Sequence, residues 1–177
     1  DPKEILAADK VVLPGVGRFG DAMENLHHFG LVPVIHQVVQ EQTPFLGICL
    51  GLQLLFEKSE ESPGVEGLGI LKGEILRIPA AEGLKIPHMG WNNIRFPNKG
   101  RLFAGVPEDA YVYFVHSYYL KAQDEKIVTA TTEYGTHIHA SVESGNLFAC
   151  QFHPEKSSHV GLQILKNFAK LEGKGGR

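Results

Sequence analysis

The stretch PFLGICLGLQLLFE, residues 44–57, constrains the fold of this chain more than any other. A short apolar run leads into Gly47-Ile48-Cys49-Leu50-Gly51, and apolar residues then follow at a helix-like spacing. This order predicts a buried strand, a tight turn and a helix. Because glycine lacks a Cβ, the glycines on either side leave room for a close backbone approach. The turn therefore presents Cys49 at the end of a strand.

A cysteine at such a corner is a candidate nucleophile. The N-terminus of the following helix favours the thiolate, and a first-turn N–H such as that of Leu50 can hold a developing oxyanion. The alternative is a buried core cysteine, which is the commoner fate of a lone cysteine. Cys49 alone leaves both interpretations open.

A base for such a nucleophile is offered by the stretch FACQFHPEKS, residues 148–157. His153 directly follows an apolar run, and Pro154 stiffens the turn. Glu155 lies two residues further on, so its carboxylate can face the same side and fix the tautomer of the imidazole. The alternative is a surface His-Pro-Glu turn. Cys150 is interpreted as structural. The remaining histidines are interpreted as surface or satisfied polar groups: His27, His28, His36, His88, His116, His137, His139 and His159.

The rest of the pattern predicts an α/β fold. Residues 10–15 indicate a buried strand, and residues 21–42 indicate one or two helices broken near Gly30 and Pro33. An amphipathic helix is expected over 50–60. From residue 70 the chain is rich in strand patterns, and a closing helix follows over 158–172. A mixed sheet with helices packed on it is the expected architecture.

Composition narrows the class of protein. The chain has 177 residues, a length that favours a single domain, 1–177. Its formal net charge of −3 favours neither a nucleic-acid nor a membrane partner, and no apolar run is long enough to span a bilayer. With only two cysteines, a reduced, cytoplasmic setting fits better than a disulfide framework. The chain opens at Asp1 in a short helix, so we expect a fragment whose first strand and helix are missing.

With these residues in view, the sequence resembles the class I glutamine amidotransferases. GICLGLQ, residues 47–53, matches the nucleophile motif of that family, and HPE, residues 153–155, matches its His-x-Glu pair. The resemblance implies a flavodoxin-like three-layer sandwich with a mixed, mostly parallel central sheet. It also implies Cys49 as nucleophile, His153 as general base and acid, and Glu155 as the residue that orients His153.

The resemblance further implies how glutamine binds, with no metal and no cofactor. The backbone of Ser117 and Tyr118 would hold the amino-acid end of the substrate, and Glu61 its ammonium group. Gln53 would lie near the bound glutamine. The oxyanion would be held by the N–H groups of Leu50 and Val16, the latter in the Gly-rich turn that includes Gly17.

Two further stretches, LPGVGRFGDAM (13–23) and KIPHMGWNNI (85–94), resemble the glutaminase subunits of imidazole glycerol phosphate synthase. This implies that glutamine is hydrolysed and that ammonia passes to a cyclase partner with a (β/α)8 barrel, in a heterodimer of histidine biosynthesis. Trp91 and Lys156 would then lie at the partner interface, and Tyr113 near the ammonia exit. These subunits begin with a strand and a DYGMGN-like segment, which this chain lacks.

Three alternatives remain from the sequence. One is the glutaminase of another synthase, such as those that make anthranilate, GMP or pyridoxal phosphate. The second is a free-standing cysteine hydrolase on the same fold, such as a γ-glutamyl peptidase. The third is a binding subunit that has kept the fold and lost the chemistry.

Overall fold

The computed structural model describes residues 1–174. Its α-helices are α1 (Pro2–Ala7), α2 (Phe19–His28), α3 (Leu31–Gln40), α4 (Leu50–Leu54) and α5 (Ser158–Ala169). Its strands are β1 (Val11–Gly15), β2 (Phe45–Cys49), β3 (Lys58–Ser59), β4 (Gly73–Arg77), β5 (His88–Asn93), β6 (Tyr111–His116), β7 (Tyr118–Ala122), β8 (Val128–Glu133), β9 (His137–Ser144) and β10 (Leu147–Cys150).

The central sheet has the strand order β1-β2-β10-β9-β7-β4-β3, and β8 pairs with β9. The sheet is mixed, as predicted. Parallel pairing joins β1 to β2, β2 to β10 and β3 to β4, and the other pairings within the sheet over residues 1–174 are antiparallel. The expectation that parallel pairing predominates is therefore wrong. A tight turn at Gly145, with φ +59°, joins β9 directly to β10, and such a hairpin connection forces antiparallel pairing.

Hydrophobic residues cover both faces of the sheet. On one face Phe45 packs in a cluster with residues of α2, α3 and α4. On the other face Leu46 packs with Ile164 and Phe168 of α5 and with residues of β6. Strand β6 pairs with β5 in a separate two-stranded ribbon. Because successive strand residues point to opposite faces, β2 contributes to both clusters and is buried along its whole length. The three-layer α/β architecture is thus confirmed.

The exposure of β1 and the position of Pro33 differ from the sequence predictions, whereas the break at Gly30 agrees with them. Strand β1 is half exposed, with Val12 47% exposed, because within residues 1–174 it pairs only with β2. The break between α2 and α3 falls at Gly30, whose φ is +67°. Pro33 lies in the first turn of α3, where a missing N–H costs no helical hydrogen bond.

The helix after the nucleophile is much shorter than expected. Helix α4 ends at Leu54 and is buried on every side, so it is not amphipathic. The chain then turns so that Ser59 pairs with β4, which ends the helical run. The expected closing helix stops at Ala169. The stretch from 111 to 122 forms two strands separated at Ser117, and this break positions part of the cavity described next.

Candidate active site

Cys49 stands on a strained turn where β2 meets α4. Its φ of +56° and ψ of −111° lie in a region that residues with a side chain rarely adopt. The flanking glycines are required by close contacts. A Cβ on Gly51 would lie 1.9 Å from the carbonyl oxygen of Leu13, and one on Gly47 would lie 2.8 Å from that of Gly51. The elbow geometry expected from the sequence is therefore present.

A cavity of about 330 Å³ opens over this turn. It brings together residues from both halves of the chain that the sequence singled out. These are Val16, Gly17, Cys49, Leu50, Gln53, Glu61, Ser117, Tyr118 and His153. Three further residues line it that sequence reasoning did not place there: Pro87, Val115 and His116.

His153 and Glu155 form the pair expected of a base and its orienter. The Nδ1 atom of His153 lies 2.6 Å from Oε1 of Glu155. An ionised carboxylate only accepts, so Nδ1 carries a proton, and in the neutral ring Nε2 then carries the lone pair. That Nε2 atom is buried and has no hydrogen-bond partner in the part of the chain that the structure describes. A proton acceptor is thus left free in the cavity that also holds Cys49.

Burial controls the charge of the Cys49 thiol. Removal from water raises the pKa of Cys49 to about 11, and the backbone N–H of Leu50 opposes this shift. The helix N-terminus therefore favours the thiolate, as expected, but burial outweighs it in this conformation. Cys49 is a neutral thiol at neutral pH and needs a base to become a nucleophile.

Two buried amides connect the nucleophile to the far wall of the cavity. Nε2 of Gln53 donates to the carbonyl of Tyr118 at 3.1 Å and to Oε1 of Gln151 at 3.0 Å. Nε2 of Gln151 in turn lies 3.7 Å from Sγ of Cys49, within reach of a weak N–H···S bond. Sequence reasoning missed Gln151, although a polar residue in the apolar run before His153 was the available signal.

Glu61 lies at the N-terminus of helix α2 and also lines the cavity. Its Oε1 accepts the backbone N–H of Phe19 at 2.8 Å, so one of its carboxylate oxygens is already hydrogen-bonded within the chain. The neighbouring Ser62 hydroxyl accepts the N–H of Gly20 at 2.8 Å. These contacts fix the loop after β3 against α2.

The residues expected at a partner interface lie apart from the cavity. Trp91 and Tyr113 face each other across the β5–β6 ribbon, with ring centroids 6.0 Å apart. Trp91 is 53% exposed, and its neighbour Met89 is also exposed. Lys156 is exposed in the turn after His153.

The backbone of Tyr113 connects this ribbon to the base. Its carbonyl accepts the N–H of His153 at 2.9 Å, and its N–H donates to the Ser157 hydroxyl at 2.9 Å. That hydroxyl donates to the carbonyl of His153 at 2.6 Å. The ribbon and the His153 turn are therefore joined by hydrogen bonds.

Comparison with known proteins agrees with this geometry. The model of the family described as glutamine amidotransferase class-I matches residues 2–171. The "Imidazole glycerol phosphate synthase subunit HisH" of Moorella thermoacetica is 57% identical over 171 residues, which are 97% of this chain and 80% of the relative. The protein of the same name from Bacillus subtilis is 49% identical, over 96% of this chain and 82% of the relative. The chain belongs to the HisH group of class I glutamine amidotransferases.

Solved structures show that this class I glutamine amidotransferase has the fold of its family. A crystal structure of a glutamine amidotransferase aligns with a TM-score of 0.69 at 18% identity, over 96% of this chain and 84% of that one. The glutaminase domain of CTPS from Trypanosoma brucei with bound acivicin aligns with a TM-score of 0.66 at 19% identity, over 97% and 75%. The family predicted from the cysteine and histidine motifs is confirmed.

Within residues 1–174 this class I glutamine amidotransferase has no cluster of three or more His, Cys, Asp or Glu side chains suited to a metal ion. Over the same range, no helix combines the length and the apolarity that crossing a bilayer requires.

Proposed function

We propose that this chain hydrolyses glutamine to glutamate and ammonia as the glutaminase subunit of an imidazole glycerol phosphate synthase. One observation carries the assignment of the chemistry. A histidine fixed at Nδ1 by Glu155 leaves its buried Nε2 free in the cavity that holds Cys49. A neutral thiol and a free imidazole lone pair are the reactants that a thiol–imidazole nucleophile requires.

In the first half of the reaction Cys49 attacks the side-chain carbonyl carbon of glutamine. The thiol proton passes to Nε2 of His153, and Glu155 stabilises the resulting imidazolium. The N–H groups of Leu50 and Val16 hold the oxyanion of the tetrahedral intermediate. The C–N bond then breaks, His153 returns its proton to the leaving nitrogen, and ammonia departs from a glutamyl thioester.

In the second half a water molecule attacks the thioester carbon. His153 takes a proton from that water, and the C–S bond breaks to give glutamate. The proton then returns to the sulfur, so Cys49 and His153 end in their starting states. No metal and no cofactor takes part in either half.

The other cavity residues have roles in holding glutamine. The backbone of Ser117 and Tyr118 binds the amino-acid end, and Glu61 pairs with its ammonium group. The amide nitrogen of Gln53 is already hydrogen-bonded to Tyr118 and Gln151, so Gln53 acts on glutamine indirectly, by holding these two residues in place. Gly17 has φ +99°, which lets the turn beside Val16 bend over the cavity.

The ammonia is passed to a cyclase subunit with a (β/α)8 barrel, which docks on the exposed face of the β5–β6 ribbon. Large apolar side chains that are exposed together mark such a surface, and this ribbon presents Met89, Trp91 and Tyr111. Lys156 adds a charge beside it. We place this reaction in the cytoplasm, where a free thiol such as Cys49 stays reduced.

The deciding experiment measures glutamine hydrolysis by the purified chain alone, with the cyclase subunit, and with the cyclase subunit and its nucleotide ligand. We expect weak activity alone and strong stimulation by the liganded partner. Full activity without any partner would instead indicate a free-standing γ-glutamyl hydrolase, and stimulation by a different synthase would reassign the partner.

Two variants test the docking surface. Trp91→Ala removes an exposed aromatic side chain from the ribbon and is expected to weaken cyclase binding and stimulation. Phe29→Ala removes one that is 65% exposed at the end of α2 and serves as the matched control. Equal loss in both variants would contradict docking at the ribbon.

A further inference from the structure

The carbonyl of Tyr118 is held by two buried side chains. Nδ1 of His116 lies 2.8 Å from this oxygen, and Nε2 of Gln53 lies 3.1 Å from it. The preceding carbonyl, that of Ser117, accepts the N–H of Ile78 at 3.0 Å. The Ser117–Tyr118 junction, where β6 gives way to β7 on the cavity wall, is thus fixed at both of its carbonyl groups.

Hydrogen-bond chemistry determines the tautomer of each histidine in this region. A carbonyl oxygen only accepts, so Nδ1 of His116 must donate and its Nε2 must be an acceptor. Nδ1 of His88 lies 2.9 Å from that Nε2 and must therefore donate. Nε2 of His88 is then an acceptor, and the side-chain amide of Asn92 lies 3.3 Å away to donate to it. Every hydrogen bond in this chain therefore donates in the same direction, from Asn92 through His88 and His116 to the carbonyl of Tyr118.

The far end of this chain of hydrogen bonds cannot easily reverse. Nδ2 of Asn92 also donates to the carbonyl of Glu133 at 3.0 Å, and its Oδ1 accepts the N–H of Asn93 at 2.9 Å. Rotating the amide would lose both contacts. The His88 ring is also held between Tyr134 and Phe114, with centroids 3.9 Å and 4.7 Å away.

We propose that His88 and His116 are positioning residues for glutamine, which hold the Tyr118 carbonyl and so set the geometry of the Ser117–Tyr118 wall. The proposal rests on the proposed function, because that wall binds glutamine only if the chain is a glutaminase. Neither ring forms a hydrogen bond with Cys49 or His153 in residues 1–174. The pair therefore acts on substrate affinity and leaves the chemical step alone.

Both rings are suited to remain neutral. His88 and His116 are almost fully buried, and burial lowers the pKa of each to about 4. If Nε2 of His116 gained a proton, it would face the Nδ1–H of His88, and two donors would point at each other. His88 could not move its own proton to Nε2, because the fixed NH₂ group of Asn92 already donates there. This relay of hydrogen bonds, from Asn92 through His88 and His116 to Tyr118, thus keeps a single arrangement at neutral pH.

Matched variants of His116 separate its two nitrogens. In His116→Asn the side-chain NH₂ takes the place of Nδ1 and keeps the bond to Tyr118, whereas His116→Gln places its amide near the Nε2 position and loses that bond. We expect His116→Gln in the cyclase complex to raise the KM for glutamine roughly tenfold, the loss of about one buried hydrogen bond. Its kcat should change little, and His116→Asn should recover most of the affinity.

His88 provides a second pair if a His116 variant does not fold. His88→Asn keeps a donor toward His116, and His88→Leu leaves Nε2 of His116 without one, so only His88→Leu should raise KM. Alkylation of Cys49 by iodoacetamide should proceed at the parent rate in all of these variants. A fall in kcat at unchanged KM, or an equal rise in KM for the Asn and Gln variants, would overturn the proposal.

The tautomers can be read without substrate. In the ¹⁵N-histidine-labelled complex, the signals that disappear in the His88 and His116 variants should be those of neutral rings protonated at Nδ1 at neutral pH. His153 also carries its proton on Nδ1, and its signal should remain in these variants. An Nε2–H tautomer or a charged ring at His116 would overturn the relay even if glutamine hydrolysis were intact. Absence of hydrolysis in the parent complex would instead overturn the proposed function, and the positioning role with it.

Discussion

Two histidines line the same cavity and are equally removed from water, yet they are bonded in opposite ways. His153 has a carboxylate on Nδ1 and a free Nε2, whereas His116 has a backbone carbonyl on Nδ1 and a second imidazole on Nε2. A free lone pair backed by a carboxylate can take a proton and hold the positive charge. A ring with both nitrogens occupied by neutral groups can only position its partners.

The comparison shows that neighbours, more than residue type or burial, decide what a histidine does. For His153 the neighbour is a glutamate two residues along the chain, which suits it to the proposed role of base. For His116 the deciding partners are Tyr118, two residues away, and His88, brought next to it by the β5–β6 pairing.

Removing the nucleophile should have the largest effect. Cys49→Ala leaves both histidines in place but takes away the atom that attacks glutamine, so glutamine-dependent turnover should fall by several orders of magnitude. Synthesis from added ammonia by the cyclase partner should survive, because ammonia bypasses this site. Both rates are measured on the same complex, and full glutaminase activity in the variant would remove Cys49 from the mechanism.

Replacing His153 should lower kcat more than replacing Glu155. By analogy with hydrolase triads, His153→Ala should cost about 10⁶-fold in kcat and Glu155→Gln about 10⁴-fold, because the orienter transfers no proton. Steady-state glutaminase rates in the liganded complex measure both. Activity of His153→Ala equal to that of the parent would reverse the roles that we assign to the two histidines.

Changes in the turn before Val16 are expected to have a smaller effect on the glutaminase rate. One oxyanion donor is worth about 10²–10³ in rate, so a Val16 N–H that turns inward only in the liganded complex would account for stimulation by the partner. Gly15→Val should hinder that rotation and reduce stimulated activity more than basal activity. A Cβ at residue 15 would lie 3.3 Å from Cβ of Leu50, so Gly15→Ala, which adds that contact without β-branching, is the control.

The result to compare is the ratio of stimulated to basal activity in the two glycine variants. If Gly15→Val and Gly15→Ala both kept the ratio of the parent, the turn would not be the switch. The assignments of Cys49, His153 and Glu155 would stand in that case.

The smallest effect concerns stability against acid. Burial lowers the pKa of His88 and His116 from near 6.5 to about 4, so the unfolded chain binds more protons than the folded chain between these values. The free energy of unfolding should therefore fall as pH drops from about 6.5 towards 4. In His88→Asn that fall should be smaller by about 1–3 kcal/mol. Urea unfolding at several pH values checks this, and identical slopes would mean that His88 titrates normally.

The sequence predicted the parts of the site that depend on local order. A strand, two glycines and a cysteine specify the elbow, and a histidine two residues from a glutamate specifies a pair, so both were recognisable without a structure. The α/β class with a mixed sheet followed from the strand and helix patterns, and the three-layer arrangement followed from the resemblance to the family.

What the sequence did not predict depends on long-range pairing. His88 and His116 lie 28 residues apart and meet only because β5 and β6 pair in register, so each was interpreted only as a surface or satisfied polar group. Gln151 contacts Cys49 across 102 residues. Helix α4 was expected to be longer because its apolar spacing continues past Leu54, but full burial allows apolar residues in any backbone conformation. The single-domain organisation and the docking face remain predictions.

Ser157 sets a condition on moving this chemistry to another scaffold. Its hydroxyl joins the carbonyl of His153 to the N–H of Tyr113, while the N–H of His153 donates to the carbonyl of Tyr113. A graft that copied Cys49, His153 and Glu155 alone would leave the imidazole on an unsupported loop. The smallest transplantable unit therefore includes strand β6. Conversely, the hydrogen bonds that support His153 use only the backbone of the ribbon. A designer can therefore exchange the outward side chains of the ribbon for those that suit another ammonia-accepting enzyme.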